Sequence, residues 1–125
     1  MTVAAPRRIL VVDDEADLRQ ILADRLEGEG YEVLTACDGL EALDRVRAAS
    51  PACIILDLKM PRLGGLDALV ALRRAAPGAQ LIVLTGSPNR PLAATCRACG
   101  ADGFLLKPFD PGELLRLAAR AFDRP

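Results

Sequence analysis

Short aliphatic runs alternate along the chain with longer stretches in which apolar residues recur every three to four positions. The runs are residues 8–12 (RILVV), 32–36 (EVLTA), 53–56 (CIIL), 80–84 (QLIVL) and 103–106 (GFLL). Their near-continuous apolar character predicts strands buried on both faces. Between them, residues 16–27 place Leu18, Ile21, Leu22 and Leu26 on one helical stripe, and 40–49 do the same with Leu40, Leu43, Val46 and Ala49. Residues 65–75 offer Leu66, Leu69, Val70 and Leu72, and residues 91–99 and 111–122 complete the set, the last with Leu114, Leu115, Leu117 and Ala118. Such spacing predicts helices that bury one face. The punctuation agrees: Gly28-Glu29-Gly30 stops the first helix, and Asp38-Gly39 and Gly64-Gly65 turn into the second and third. Asp110-Pro111 reads as an N-cap followed by proline at the first helical position.

Five strand–helix units in strict alternation predict an α/β fold, a parallel sheet doubly wound by helices on both faces. Residues 1–125 read as one domain with a core over about 7–122. No linker or repeat interrupts it, and no output domain is expected.

Composition narrows the function. Hydrophobic residues make up 51% and aromatic residues 3%, so the core must be aliphatic. The net charge of −1 lacks the basic balance of a nucleic-acid binder, and no direct nucleic-acid partner is expected. Histidine is absent, which excludes a phosphohistidine carrier, a triad enzyme and a His-based metal protein. No apolar run approaches the ~20 residues of a membrane span, and the N-terminus does not resemble a secretory signal, so a cytoplasmic protein without a membrane partner is expected. Cys37, Cys53, Cys96 and Cys99 read as small buried hydrophobes, although Cys96 and Cys99 form a C-x-x-C in the fourth helix. Of the 16 basic residues only Lys59 and Lys107 are lysines.

In open parallel sheets, ligands bind beyond the carboxyl ends of the strands. Asp13, Asp14 and Glu15 follow the first strand, Asp57 the third, Thr85 the fourth and Lys107 the fifth. Clustered carboxylates repel by roughly 4 kcal/mol for two charges 4 Å apart at an effective dielectric of 20. They call for a hard cation with oxygen ligands, Mg²⁺ or Mn²⁺. A carboxylate nucleophile, a metal, an amine and a hydroxyl make a phosphoryl-transfer site whose product is an aspartyl phosphate. Taken singly, Asp13-Asp14-Glu15 also fits a helix N-terminus, Asp57 a turn, Thr85 a strand end and Phe104 plain core.

The segments VVDDE (11–15), LDLKMP (56–61), LTG (84–86) and GADGFLLKPF (100–109) stand in an order and spacing that resemble response-regulator receiver domains of two-component signalling, over essentially the whole chain. The resemblance implies a (βα)₅ flavodoxin-like fold with strand order 2-1-3-4-5. It implies Asp57 as phosphoacceptor, with Mg²⁺ held by Asp14 directly, by Asp13 through water, by Asp57 and by the backbone carbonyl of Lys59. Thr85 and Lys107 would contact the phosphoryl oxygens, and Lys107-Pro108 would be a cis peptide. Phe104 takes the place of a switch aromatic that moves with Thr85 and reshapes the face of helix four, strand five and helix five. Leu18 and Ile21 are candidates for the surface that meets a histidine kinase or histidine phosphotransferase. A downstream protein or a second copy would meet the helix-four to helix-five face, where Asp102 and Arg116 are charges that would contribute. Gly86 departs from a frequent alanine, Phe104 from the commoner tyrosine, and residues 87–91 (SPNRP) are proline-rich for a helix start.

Three rivals compete with this reading. An aspartate-nucleophile phosphatase needs a second aspartate two residues after the nucleophile, where this chain has Lys59. The chain is therefore expected to be a phosphoacceptor rather than a classical enzyme. A flavodoxin-like cofactor binder needs a phosphate cradle after the first strand, where Asp13-Asp14-Glu15 repel phosphate. A phosphorylation-independent adaptor on the same fold is the alternative from a different class.

Overall fold

The computed structural model describes residues 7–59, 65–86 and 90–122. The elements run β1 (Arg8–Val12), α1 (Ala16–Gly28), β2 (Glu32–Ala36), α2 (Gly39–Ala49), β3 (Cys53–Asp57), α3 (Gly65–Ala75), β4 (Gln80–Thr85), α4 (Arg90–Ala98), β5 (Gly103–Leu106) and α5 (Pro111–Ala119), closed by a 3₁₀ turn at Arg120–Phe122. All paired strands are parallel, in the order β2-β1-β3-β4-β5. The expected strand–helix alternation and strand order are both present.

Strand pleating divides the core in two. Leu10, Val12, Ile54, Leu56, Leu81 and Val83 pack with α2, α3 and α4, while Ile9, Val11, Ile55, Ile82, Leu84 and Leu105 pack with α1 and α5. Alternate residues of one strand serve opposite faces, which is why these strands read as unbroken apolar runs. β2 is an edge strand and is less buried.

The helix ends have the expected chemistry. Asp38 caps α2 by accepting from the Glu41 amide at 2.9 Å, and Asp110 caps α5 by accepting from the Gly112 amide at 3.0 Å. α1 ends with Gly30 at φ +92°, the Gly30 amide on Glu27 O and the Tyr31 amide on Leu26 O, a Schellman turn. Two stripe residues depart from expectation: Ile21, at 63% exposure, lies off the buried face of α1, which is made by Leu22, Ala23 and Leu26, and Leu40 lies off that of α2. Leu40, expected on the buried stripe of α2, is 47% exposed, and α2 buries Gly39 and Ala42 beside the expected Val46. The helix begins one residue earlier than expected, and its inward stripe runs through a smaller side chain, Ala42, against the sheet.

Candidate functional site

β3 is the central strand, flanked by β1 and β4. The residues at the carboxyl ends of β1 and β4 therefore stand on either side of the end of β3, and the parallel register brings distant residues to one edge. Asp57 is the last residue of β3 and Thr85 the last of β4, so each belongs to its strand rather than to the loop beyond.

Asp13 continues β1 by one residue, its amide donating to Ala36 O at 3.1 Å. Its side chain is buried. Oδ1 accepts from the Glu15 amide at 2.9 Å, and the Arg19 guanidinium donates to the Asp13 carbonyl at 2.7 Å. Oδ2 is buried and accepts no hydrogen bond among the described residues. The acidic run is thus not a side-chain cap, since Glu15 stands at the N-cap of α1 without a side-chain capping bond. Asp14 is exposed. One carboxylate oxygen from each of Asp13, Asp14 and Asp57 lies within 4.8 Å of the others.

Asp57 is buried, its Oδ1 accepting from the Lys59 amide at 3.1 Å and its Oδ2 from Lys107 Nζ at 2.9 Å. The same ammonium stands 3.8 Å from Asp13 Oδ2, too far for a hydrogen bond. Lys107 is aimed by its backbone: its amide donates to Thr85 O at 2.8 Å, and the following peptide to Pro108 is cis, as the resemblance implied.

The electrostatics arise from burial. Desolvation raises the Asp13 carboxyl from 3.8 to about 6; the Glu15 amide opposes this, Asp57 adds to it and Lys107 subtracts from it. For Lys107, burial pulls downward, but the hydrogen bond and charge of Asp57, then the charges of Asp13 and Glu15, outweigh it and hold the ammonium above its usual 10.5. One ammonium thus serves the carboxylates of Asp13, Glu15 and Asp57, and the buried Asp13 Oδ2 is left with that distant charge and no hydrogen bond. The donor set of Asp13, Asp14 and Asp57 fits a hard divalent cation with oxygen ligands.

Thr85 is buried and lines a recess of about 520 Å³ that also touches Leu58, Lys59, Gly86 and Leu92. Phe104 pairs in register with Val83 and packs, half-buried, on the core face that Val83 shares. By strand alternation the Thr85 side chain lies on that same face, two residues further along. Leu106 is 43% exposed at the outer edge of the sheet. Asp102 is not a free surface charge, since its Oδ2 accepts from the Leu81 amide at 2.9 Å and from Arg73 at 3.2 Å.

Leu18 is half-buried and Ile21 is 63% exposed. Together with Leu22, Phe109 and Leu114 they line an apolar groove of about 300 Å³ between α1 and α5, and Lys107 also lines it. Sequence reasoning missed Phe109 and Arg19. The position of Phe109 beside the Lys107-Pro108 pair was a usable signal, whereas nothing in the spacing of Arg19 announced its contact with the Asp13 carbonyl.

The four cysteines are free; Cys53 and Cys96 are buried as expected, whereas Cys37 and Cys99 are only half-buried. Burial pushes the Cys53 thiol to about 12 and raises that of Cys96, which packs in the core with Cys99 against it. This is the behaviour of structural cysteines. Met60 and Pro61 of the second motif, Gly64 of the expected turn into α3, and Ser87, Pro88 and Asn89 after β4, lie outside the described residues.

The profile of the family described as "Response regulator receiver domain" matches residues 9–119. The transcriptional regulatory protein PdtaR of Mycobacterium tuberculosis is 40% identical over 124 residues, 97% of this chain but 59% of that protein. The chain thus spans little more than half the length of this relative. The chemotaxis protein CheY4 of Vibrio cholerae superimposes with a TM-score of 0.86 at 35% identity, over 94% of this chain and 99% of that one. A response regulator of Burkholderia pseudomallei, solved with a phosphorylated aspartic acid, calcium ion and citrate, superimposes with a TM-score of 0.84 at 31% identity, over 94% of this chain and 69% of that one. Among the described residues no helix is long and apolar enough to cross a membrane.

Proposed function

The chain belongs to the response-regulator receiver domain family, and we propose that within it Asp57 accepts a phosphoryl group from a phosphohistidine of a kinase or phosphotransferase. The observation that carries this reading is the buried Asp57 carboxylate held by Lys107 at 2.9 Å beside a buried Asp13 Oδ2 that accepts no hydrogen bond among the described residues. In the reaction a carboxylate oxygen of Asp57 forms a bond to phosphorus while the phosphorus–nitrogen bond of the donor breaks. The electron pair stays on the imidazole, which takes up a proton.

Asp13, Asp14 and Asp57 would hold the metal, Mg²⁺ or Mn²⁺, with the Lys59 carbonyl as a further ligand; the ion supplies neutralisation of the charge on the transferring oxygens. Lys107 supplies a second positive charge at the same place, already aimed by its ion pair. The Lys59 amide steadies the other carboxylate oxygen. Arg19 fixes the backbone that presents Asp13. The Burkholderia regulator, with its phosphorylated aspartic acid and calcium ion, supports both the modification and a divalent cation.

The groove lined by Leu18, Ile21 and Phe109 suits an amphipathic helix of the donor, because Lys107 is common to the groove and the site. An apolar helix seated there would deliver its phosphohistidine to Asp57. On the output side, Thr85 and Phe104 share one face of the sheet next to α4. A phosphoryl oxygen that draws the Thr85 hydroxyl would change the space open to Phe104, and with it the α4-β5-α5 face offered to a downstream protein or a second copy.

The test is intact-mass spectrometry after incubation with acetyl phosphate, with Mg²⁺ or with chelator, on the wild type and Asp57→Asn. A Mg²⁺-dependent phosphoryl adduct that is lost in the variant is the expected result. An adduct on Asp57→Asn, or none on the wild type from either acetyl phosphate or a phosphorylated phosphotransferase, overturns the reading.

A further inference from the structure

The amino ends of the strands, opposite the acidic site, carry a polar assembly with no part in phosphoryl chemistry. Arg73, in the last turn of α3, reaches across the sheet edge. Its guanidinium donates to Ala79 O through both terminal nitrogens, Nη1 at 2.9 Å, and through Nη2 to Asp102 Oδ2 at 3.2 Å. Asp102 Oδ2 also accepts from the Leu81 amide at 2.9 Å, and the Asp102 amide donates to Leu81 O at 2.7 Å. One arginine therefore joins the turn before β4 to the turn before β5.

The end of α4 is built into the same assembly. The Gly100 amide donates to Arg97 O and the Ala101 amide to Cys96 O, a Schellman turn with Gly100 at φ +113°. Gly100 has a second reason to be glycine. A Cβ there would stand 2.6 Å from Cγ, 3.0 Å from Cδ and 3.1 Å from Cβ of Arg73. The near end of the arginine stem fills the place of the missing side chain and has little freedom to yield. Cys96 and Ala101 are buried beneath the turn.

We propose that the Arg73–Asp102–Gly100 assembly is a fixed pivot: it holds the carboxyl end of α4 and the amino ends of β4 and β5 in place, so that a rearrangement starting at Thr85 swings α4 about its carboxyl end instead of shifting it bodily. Thr85 stands at the far end of β4 from this assembly, and the Asp102 contacts hold β4 and β5 together where they begin. A displacement entering at Thr85 is therefore absorbed by the half of α4 nearest the site and falls away toward Cys96. A charge-assisted, multiply bonded arginine suits such a role, because its planar head fixes several directions at once.

The inference rests on the phosphoacceptor reading for its trigger, but the anchor is testable without it. Amide hydrogen exchange of the whole chain is measured with and without beryllofluoride and Mg²⁺, a phosphoryl mimic, on the wild type, Arg73→Met and Asp102→Asn. Arg73→Met keeps the stem and removes the head. In the wild type, beryllofluoride is expected to change exchange in residues 90–95 by at least fivefold and in residues 96–103 by less than twofold. In Arg73→Met the change is expected to spread through residues 96–103. Equal responses at both ends of α4 in the wild type, or an unchanged gradient in both variants, overturn the pivot. If fluorine NMR shows no bound beryllofluoride, the phosphoacceptor reading is what fails, and the anchor is judged without ligand. Exchange at Ala101 and Asp102 at least tenfold faster in Arg73→Met than in the wild type then upholds the anchor, and unchanged protection overturns it.

Discussion

At the carboxyl ends of the strands, Asp13, Asp14 and Asp57 lie together and the first and last of them face one ammonium, that of Lys107; at the amino ends, Asp102 stands against one guanidinium, that of Arg73. Asp102 Oδ2 accepts two hydrogen bonds, whereas Asp13 Oδ2 is buried and accepts none. A carboxylate oxygen taken out of water without a hydrogen bond costs free energy that an ion pair at 3.8 Å offsets only in part, while a carboxylate with its bonds in place holds structure together. The two ends therefore differ in which charge is short of partners: at the amino ends the carboxylate is fully bonded and the buried Nε of Arg73 is the unmet atom, whereas at the carboxyl ends the unmet atom is a carboxylate oxygen, which a cation can meet. Carboxylates near a cation do not by themselves make a site; the unmet oxygen does.

The sharpest way to break this contrast is to remove the ammonium. Lys107→Met is expected to slow adduct formation from acetyl phosphate about 100-fold, the effect of losing one preorganised charge contact to the transferring group; stopped time points read by mass spectrometry would show it. Arg73→Met, at the other end, should leave that rate within twofold.

Acidification comes next. With the ion absent, Asp13 takes up a proton near pH 6 because the fold disfavours its charged form. Metal must displace that proton, so Mg²⁺ affinity measured by titration calorimetry should fall about tenfold from pH 7 to pH 5. The sign for folding is opposite. The folded-state pKa lies above the unfolded value, so the metal-free protein gains stability as pH falls from above 6 toward 4, by on the order of 1–3 kcal/mol from this residue. Urea titrations in chelator at pH 7 and pH 5 measure the net effect; in Asp13→Asn that part of the gain should vanish.

The same exchange of carboxylate for amide should then act in opposite directions at the two ends. Asp13→Asn removes a buried charge whose desolvation outweighs its pairing and is expected to stabilise the metal-free protein by about 1 kcal/mol while abolishing stabilisation by Mg²⁺. Asp102→Asn weakens a partly exposed ion pair and is expected to cost about 1 kcal/mol, since solvent screens part of the pairing. Equal signs in a denaturant midpoint would dissolve the distinction. The smallest effect belongs to Ile21→Ala. At 63% exposure it should change folding stability by no more than about 0.5 kcal/mol, yet slow transfer from a phosphohistidine donor while leaving acetyl phosphate unaffected.

Much of this was legible in the chain. The elements announced themselves because apolar periodicity is a local property, and capping chemistry at Asp38 and Asp110 is local too. Asp13, Asp57 and Lys107 were legible because parallel strand–helix alternation sends every strand's carboxyl end to one edge. The outward turn of Leu40 was not, because a leucine at helical spacing looks alike on either flank of a stripe until the helix is seated on its sheet. Nor was the groove that Phe109 completes against α1, since its walls are separated by most of the chain.

By itself the sequence determined the alternation of strands and helices, the helix caps and the chemical types gathered at the carboxyl edge, because each is written in neighbouring residues or comes from topology. Tertiary structure alone decided which buried carboxylate oxygen goes without a hydrogen bond and which arginine passes beneath a glycine to reach an aspartate 29 positions away. Both depend on how far apart packed elements come to rest, to within an ångström, and spacing along a chain carries no such measure.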